Sequence, residues 1–73
     1  MAGPVKRSIS IAGHLTSITL EPVFWQALEQ AACEEALPLN ALVARIDAER
    51  TSNLASAIRV WLFERTRSGE PLR

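Results

Sequence analysis

The chain has 73 residues, of which 48% are hydrophobic, and its eight Lys and Arg balance its eight Asp and Glu. A chain of this length is one domain at most and buries only roughly 60% of its unfolded surface. The apolar fraction is high for such a small globule, so we expect a homodimer that hides part of this surface between chains. The balanced charge gives no indication of a polyanionic partner.

The sequence has the pattern of neither a disulfide framework nor a structural metal site. Cys33 is the single cysteine, which excludes an intramolecular disulfide framework, and no Cys/His cluster has the spacing of a structural zinc site. We expect Cys33 to be a small core residue of a helix. No apolar run approaches the roughly 20 residues of a membrane span, and residues 1–7 lack the apolar run of a signal peptide. These features predict a soluble, cytoplasmic protein without metal or cofactor.

The N-terminal third has the period-two alternation of β-strands. Residues 1–5 are predicted to be a disordered tail, and residues 6–20 have a period-two pattern in which Ser, Thr and Ile dominate. Gly13-His14 is a candidate two-residue turn, which would pair Ser10 with Ser17 and Ser8 with Thr19. This register predicts a core face and a hydroxyl face. The core face comprises Ile9, Ile11, Ile18 and Leu20, and the hydroxyl face comprises Ser8, Ser10, Ser17 and Thr19.

The alternation leaves one alternative open. Residues 15–20 could pair with their own copy in a second chain instead of closing a hairpin within one chain.

Three helices are predicted after the strands. The first begins at Pro22, which suits the first turn of a helix, and ends near Ala36. Pro38 separates it from a second helix over residues 39–50. Residues 51–53, Thr-Ser-Asn, are favoured N-caps and predict a break before a third helix over residues 54–67. Residues 6–67 are therefore interpreted as one α+β domain, and residues 68–73 as a C-terminal tail.

Four phrases in order carry a resemblance to a known family: KRSISIAGH, TSITLEPVFWQAL, LNALVARIDAER and NLASAIRVWLFE. Over about residues 6–66 the sequence resembles the ribbon-helix-helix family, and in particular a small bacterial subgroup of uncertain role. The resemblance implies an obligate homodimer in which a strand from each chain forms an antiparallel ribbon that enters the DNA major groove. It places Ser17 and Thr19 on the base-facing side, just after Leu15, and Asn40 at the phosphate-contacting start of the second helix.

The residues themselves agree in part with this implication. A two-stranded ribbon fits the major groove, where hydroxyl groups contact any base edge with low selectivity. Lys6 and Arg7 flank the ribbon and could contact phosphate, although such a pair is also a common solubilising flank. The outward face departs from the family because it lacks the usual Arg, Lys, Gln or Asn. Pro38 and the third helix are further departures.

The sequence thus predicts a dimeric DNA-binding protein, a transcriptional regulator, with candidate DNA-binding residues Lys6, Arg7, Ser17, Thr19 and Asn40. The alternative is an obligate dimer that serves as a protein-interaction or scaffold module, with a solvated hydroxyl face. An enzyme is not expected, because no nucleophile–base pair, phosphate loop or metal spacing is present.

Overall fold

A computed structural model describes residues 3–69 and contains a β-hairpin followed by three helices. The strands are β1 (Val5–Ile11) and β2 (His14–Leu20), and the helices are α1 (Pro22–Glu34), α2 (Leu39–Glu49) and α3 (Leu54–Gly69). The two strands pair antiparallel in one sheet. The predicted α+β architecture of a β-hairpin and three helices is confirmed. Of the two alternatives that the alternation left open, the described chain shows the hairpin, in which β1 pairs with β2 of the same chain.

The turn of the hairpin is one residue earlier than predicted. Ala12 and Gly13 form it, with φ angles of 51° and 84°, and Ile11 pairs with His14. Two positive φ values are typical of a type I′ turn, whose twist matches that of the flanking strands. The predicted Gly13-His14 turn and its pairing are therefore wrong. Ser8 pairs with Ser17 instead of Thr19, and Thr19 pairs with Lys6.

The two faces of the hairpin are nevertheless the predicted ones. The observed pairing is displaced by two residues, and only a displacement by an odd number moves a side chain to the other face. Four hairpin side chains are buried, namely Ile9, Ile11, Ile18 and Leu20. They pack against buried helix residues that include Trp25, Leu28, Leu42, Val43 and Ile58. The isoleucine face thus lies in the core, as predicted.

Helix α1 ends two residues before the predicted boundary. Ala36 has a φ of 58°, its amide donates to the Cys33 carbonyl, and the Leu37 amide donates to the Ala32 carbonyl. This pair of hydrogen bonds is a Schellman motif, in which the left-handed position is usually glycine. The motif satisfies the last carbonyls of α1 and turns the chain toward Pro38.

The start of α3 is capped by a side chain, as residues 51–53 predicted. The Asn53 Oδ1 accepts a hydrogen bond from the Ser56 amide at 2.9 Å. A side-chain oxygen that satisfies an amide in the first turn is the standard N-cap arrangement. Asn53 therefore fixes the start of α3.

Several details differ from the sequence-based expectations or lie beyond the described residues. Cys33 is exposed, because the buried face of α1 runs through Trp25, Leu28 and Ala32, so its predicted core position is wrong. Val5 belongs to β1 instead of the tail, and α3 extends to Gly69. Gly3 and Pro4 lie outside the strands and helices, and the rest of the predicted tails, residues 1–2 and 70–73, lies outside the described residues. No helix in the described part is long and apolar enough to cross a membrane.

Candidate nucleic-acid interface

One face of the hairpin is turned away from the helices, and we call it the outer hairpin face. It consists of six exposed residues in three cross-strand pairs: Lys6 with Thr19, Ser8 with Ser17, and Ser10 with Leu15. Four hydroxyl groups, one ammonium group and one apolar side chain therefore share a surface two strands wide. Hydroxyl groups donate and accept hydrogen bonds, so this surface can contact either kind of polar group on a base edge.

Lys6 is the cation of this face. It is the only lysine in the sequence, and no ion pair of the described residues includes it. Lys6 lies directly opposite Thr19. The sequence did not predict this pair, because the turn predicted at Gly13-His14 would leave Lys6 without a partner residue on the second strand. The structure thus brings Lys6, Ser17 and Thr19 together.

Arg7 lies on the opposite face of β1. Its Nη1 donates to the Glu29 carboxylate at 2.9 Å, and its guanidinium lies 4.5 Å from the centre of the Trp25 ring. The Trp25 Nε1 in turn donates to the Val5 carbonyl at 2.9 Å. These contacts join β1 to α1, so Arg7 is held by the helix and does not share a surface with Lys6.

Asn40 is the second residue of α2 and is exposed. Pro38 occupies the N-cap position, and no side chain caps the helix there. Uncapped amides at a helix start are suited to bind an anion, because they combine free donors with the positive end of the helix dipole. The exposed Asn40 side chain adds a further possible donor beside them.

Ion pairs connect the helices to one another and to the end of the hairpin. The Arg59 Nε donates to the Glu21 carboxylate at 3.2 Å, next to the end of β2. The pKa of the Glu21 carboxyl is lowered, first by a hydrogen bond from its own backbone amide and then by Arg59. Arg65 donates to Glu34 and Glu35, each at 2.7 Å. These arginines are engaged with carboxylates, and the described hairpin presents Lys6 as its unpaired cation.

The outer edge of β2 has no strand beside it within residues 3–69. The pair that closes a two-residue turn is hydrogen-bonded, and hydrogen-bonded pairs alternate along an antiparallel ladder. The backbone amides and carbonyls of Leu15, Ser17 and Thr19 therefore point outward from this edge. Such an edge is a template for pairing with another strand.

Comparison with known proteins agrees with this architecture. A family model described as a ribbon-helix-helix domain matches residues 4–66. The chain is also similar to a solved structure, that of an uncharacterized protein from Bordetella pertussis Tohama I, with a TM-score of 0.74 and 25% sequence identity. The similarity covers 89% of this chain and 57% of that chain, so this chain spans little more than half of that protein. No curated protein matches the sequence.

Proposed function

Because the chain belongs to the ribbon-helix-helix domain family, whose members are generally DNA-binding transcription regulators, we propose that it is a cytoplasmic, dimeric transcriptional regulator. In this proposal the outer hairpin face enters the major groove of double-stranded DNA. The observation that carries the proposal is the grouping of Lys6, Ser17 and Thr19 on one exposed surface two strands wide.

The hydroxyl groups of Ser17 and Thr19 are the proposed base contacts. They lie two residues apart on β2 and so point to the same side of the sheet. A hydroxyl group can accept from an amino group or donate to a carbonyl or ring nitrogen of a base. Base contacts of this kind select weakly, so we expect part of the sequence preference to come from other groups on the same face.

The proposed dimer forms through the open edge of β2. Pairing of β2 with its copy would give a four-stranded sheet, with the two β2 strands in the middle and a β1 strand on each side. Such a sheet is roughly 14 Å across, from spacings of about 4.8 Å, whereas the major groove is about 12 Å wide. The β2 strands would therefore reach the bases, and Lys6 on β1 would lie at the phosphates that border the groove.

Two other predicted residues have different roles in this proposal. The start of α2, with Asn40, contacts a phosphate, as its uncapped amides favour. Arg7 supports the hairpin through Glu29 and Trp25 and does not contact phosphate. The few available cations predict modest non-specific affinity and a shallow dependence on salt.

The test is a fluorescence-anisotropy titration at low salt against genomic fragments that include the promoter of the gene for this protein. The Ser17→Ala/Thr19→Ala variant removes the proposed base contacts and should lose salt-sensitive binding. The Thr51→Ala/Ser52→Ala variant removes the same two kinds of hydroxyl from the loop between α2 and α3 and should bind as the wild type does. Absence of binding by a folded wild-type protein would refute the proposal, and so would equal binding by both variants.

A second candidate function, a protein-interaction module, is favoured by the surface of α3. Val60 and Phe63 are 54% and 63% exposed, and a groove of about 320 Å³ beside Val60 is lined by Ile46 and Trp61. Apolar residues that are exposed together on one helix beside a groove can mark a protein contact. This function would be the better one if the wild-type protein forms a dimer but binds no DNA at low salt.

A further inference from the structure

Leu15 is the one apolar member of the outer hairpin face. The residue is 75% exposed, the highest value among the exposed large hydrophobic residues of the described chain. It pairs with Ser10 across the hairpin and shares its side of β2 with Ser17 and Thr19. An apolar side chain therefore extends the row of hydroxyl groups toward the turn.

Neither hydrogen bonding nor burial in the core explains why a leucine stands at this exposed position. A leucine side chain forms no hydrogen bond, and the buried residues of the hairpin belong to the opposite face. The major groove contains one regular apolar group, the C5 methyl of thymine, and contact with that methyl is made by apolar side chains. Leu15 is thus the residue of this face whose chemistry matches a group that a hydroxyl recognises poorly.

We propose that Leu15 is a specificity-determining residue that packs on the C5 methyl of a thymine, so that the protein prefers an A·T pair beneath the turn-proximal end of β2. The proposal rests on the proposed DNA-binding function and deepens it by naming a base. Leu15 and the methyl would exclude water from each other, while Ser17 and Thr19 hydrogen-bond to neighbouring base edges. The hydroxyl groups would hydrogen-bond to base edges with little selectivity, and Leu15 would provide the preference for thymine.

The test removes one methyl group from DNA at a time. In the shortest duplex that the wild-type protein binds, each thymine is replaced singly by uracil, and affinity is measured by anisotropy for the wild type and for Leu15→Ala. For at least one thymine, the wild type should lose about fourfold in affinity, the factor expected for burial of one methyl group. Leu15→Ala should bind both duplexes equally. Placing 5-methylcytosine in a C·G pair at that position, in comparison with cytosine, should restore part of the wild-type preference.

Two control variants separate Leu15 from other apolar groups. Thr19→Ser keeps the hydroxyl group of a proposed base contact but removes its methyl group, and the variant should keep the response to uracil. Val60→Ala shortens an exposed apolar residue of α3 and should behave as the wild type does. Circular dichroism and sedimentation of Leu15→Ala should match the wild type, since the side chain is mostly in water.

The outcomes distinguish this proposal from the proposed function. Binding in which uracil has no effect, or has the same effect on the wild type and on Leu15→Ala, overturns the role of Leu15 and leaves DNA binding in place. A shift of Leu15→Ala toward monomer, without a change in the response to uracil, also overturns it and assigns Leu15 to the dimer. Absence of DNA binding overturns both.

Discussion

Lys6 and Thr19 lie directly opposite each other on the two strands of the hairpin, which places the only lysine of the sequence beside a hydroxyl group of the outer hairpin face. This relationship connects the cation of β1 to the proposed base contacts of β2. Because Arg7 lies on the opposite face of β1, the proposed role of Lys6 in DNA binding can be tested separately from any role of Arg7.

Replacement of Lys6 by alanine should weaken DNA binding similarly for all sequences and flatten its dependence on salt. Loss of one phosphate contact from each chain lowers the slope of log affinity against log salt by about 1 per chain. The measurement is a series of anisotropy titrations at increasing salt. Arg67→Ala, which removes an exposed cation that lies over Phe63 on α3, is the control and should leave the slope unchanged. An unchanged slope for Lys6→Ala would place Lys6 away from the phosphates.

Replacement of Arg7 by alanine should destabilise the fold without changing the salt slope. The substitution removes the contact with Glu29 and the stacking on Trp25, and a partly exposed contact of this kind contributes about 1 kcal/mol. Thermal denaturation measures the loss, and the salt series measures the slope. Glu29→Gln, which keeps Arg7 but weakens its ion pair, should show a smaller loss of stability. A slope reduced as much as in Lys6→Ala would mean that Arg7 leaves Glu29 to contact phosphate.

Proline substitutions on the two strands should reveal which edge forms the dimer. Ser8 and Ser17 face each other, and both backbone amides point outward from the hairpin, so proline at either position removes no hydrogen bond within it. Ser17→Pro should block pairing at the β2 edge and shift the protein to monomer in sedimentation equilibrium. Ser8→Pro makes the same change at the β1 edge and should leave the dimer intact. The reverse result would place the dimer contact at β1.

Acid should destabilise the protein through Glu21 and Glu34. The pKa of Glu34 is lowered, first by the hydrogen bond from Arg65 and then by that from Gln30, and the pKa of Glu21 is lowered as well. Carboxyl groups with lowered pKa in the folded state stabilise it above their unfolded pKa, and this contribution is lost as the pH falls through the folded pKa. The melting temperature should therefore fall below about pH 4.5. In Glu34→Gln that decline should be smaller, whereas an identical decline would exclude a contribution from Glu34.

Replacement of Ala36 by glycine should stabilise the protein. Ala36 has a φ of 58°, a left-handed conformation that is unfavourable for a residue with a Cβ, and relief of this strain outweighs the extra chain entropy of glycine by about 0.5–1 kcal/mol. Thermal denaturation should show a melting temperature raised by several degrees. Ala27→Gly, within α1, makes the same change in a helical conformation and should lower stability by about 1 kcal/mol. Equal effects of the two substitutions would contradict the role of the left-handed turn.

The order of elements and the two faces of the hairpin could be predicted because they depend on local patterns. Alternation identifies Ile9 and Ile18 as core residues whichever pairs form, and Asn53 has the chemistry of an N-cap before any contact is known. The register could not be predicted in this way, because a displacement by two residues leaves the alternation unchanged. The position of Lys6 beside Thr19 depended on that register.

The contacts of the arginines were also beyond the sequence. Arg7 meets Glu29, and Arg59 meets Glu21, and neither pair is close enough in the chain to be recognised by helical spacing. The sequence predicts a core position for Cys33, whereas the buried side of α1 is set by the direction of Trp25 and Leu28. Long-range packing decided these positions.

The hydrogen bond from Trp25 to the Val5 carbonyl favours the observed strand register, which the two-residue turn at Ala12 and Gly13 also sets. Sliding β1 by two residues along β2 would keep every isoleucine in the core and every hydroxyl group outside, so hydrophobic burial barely opposes it. Sliding would, however, carry Val5 away from an indole donor that α1 holds in the core. A side chain of α1 thus helps to decide which residues of the two strands lie opposite each other. The positions of the hydroxyl groups and of the Lys6 ammonium group on the outer hairpin face therefore depend on a contact made on the other side of the sheet.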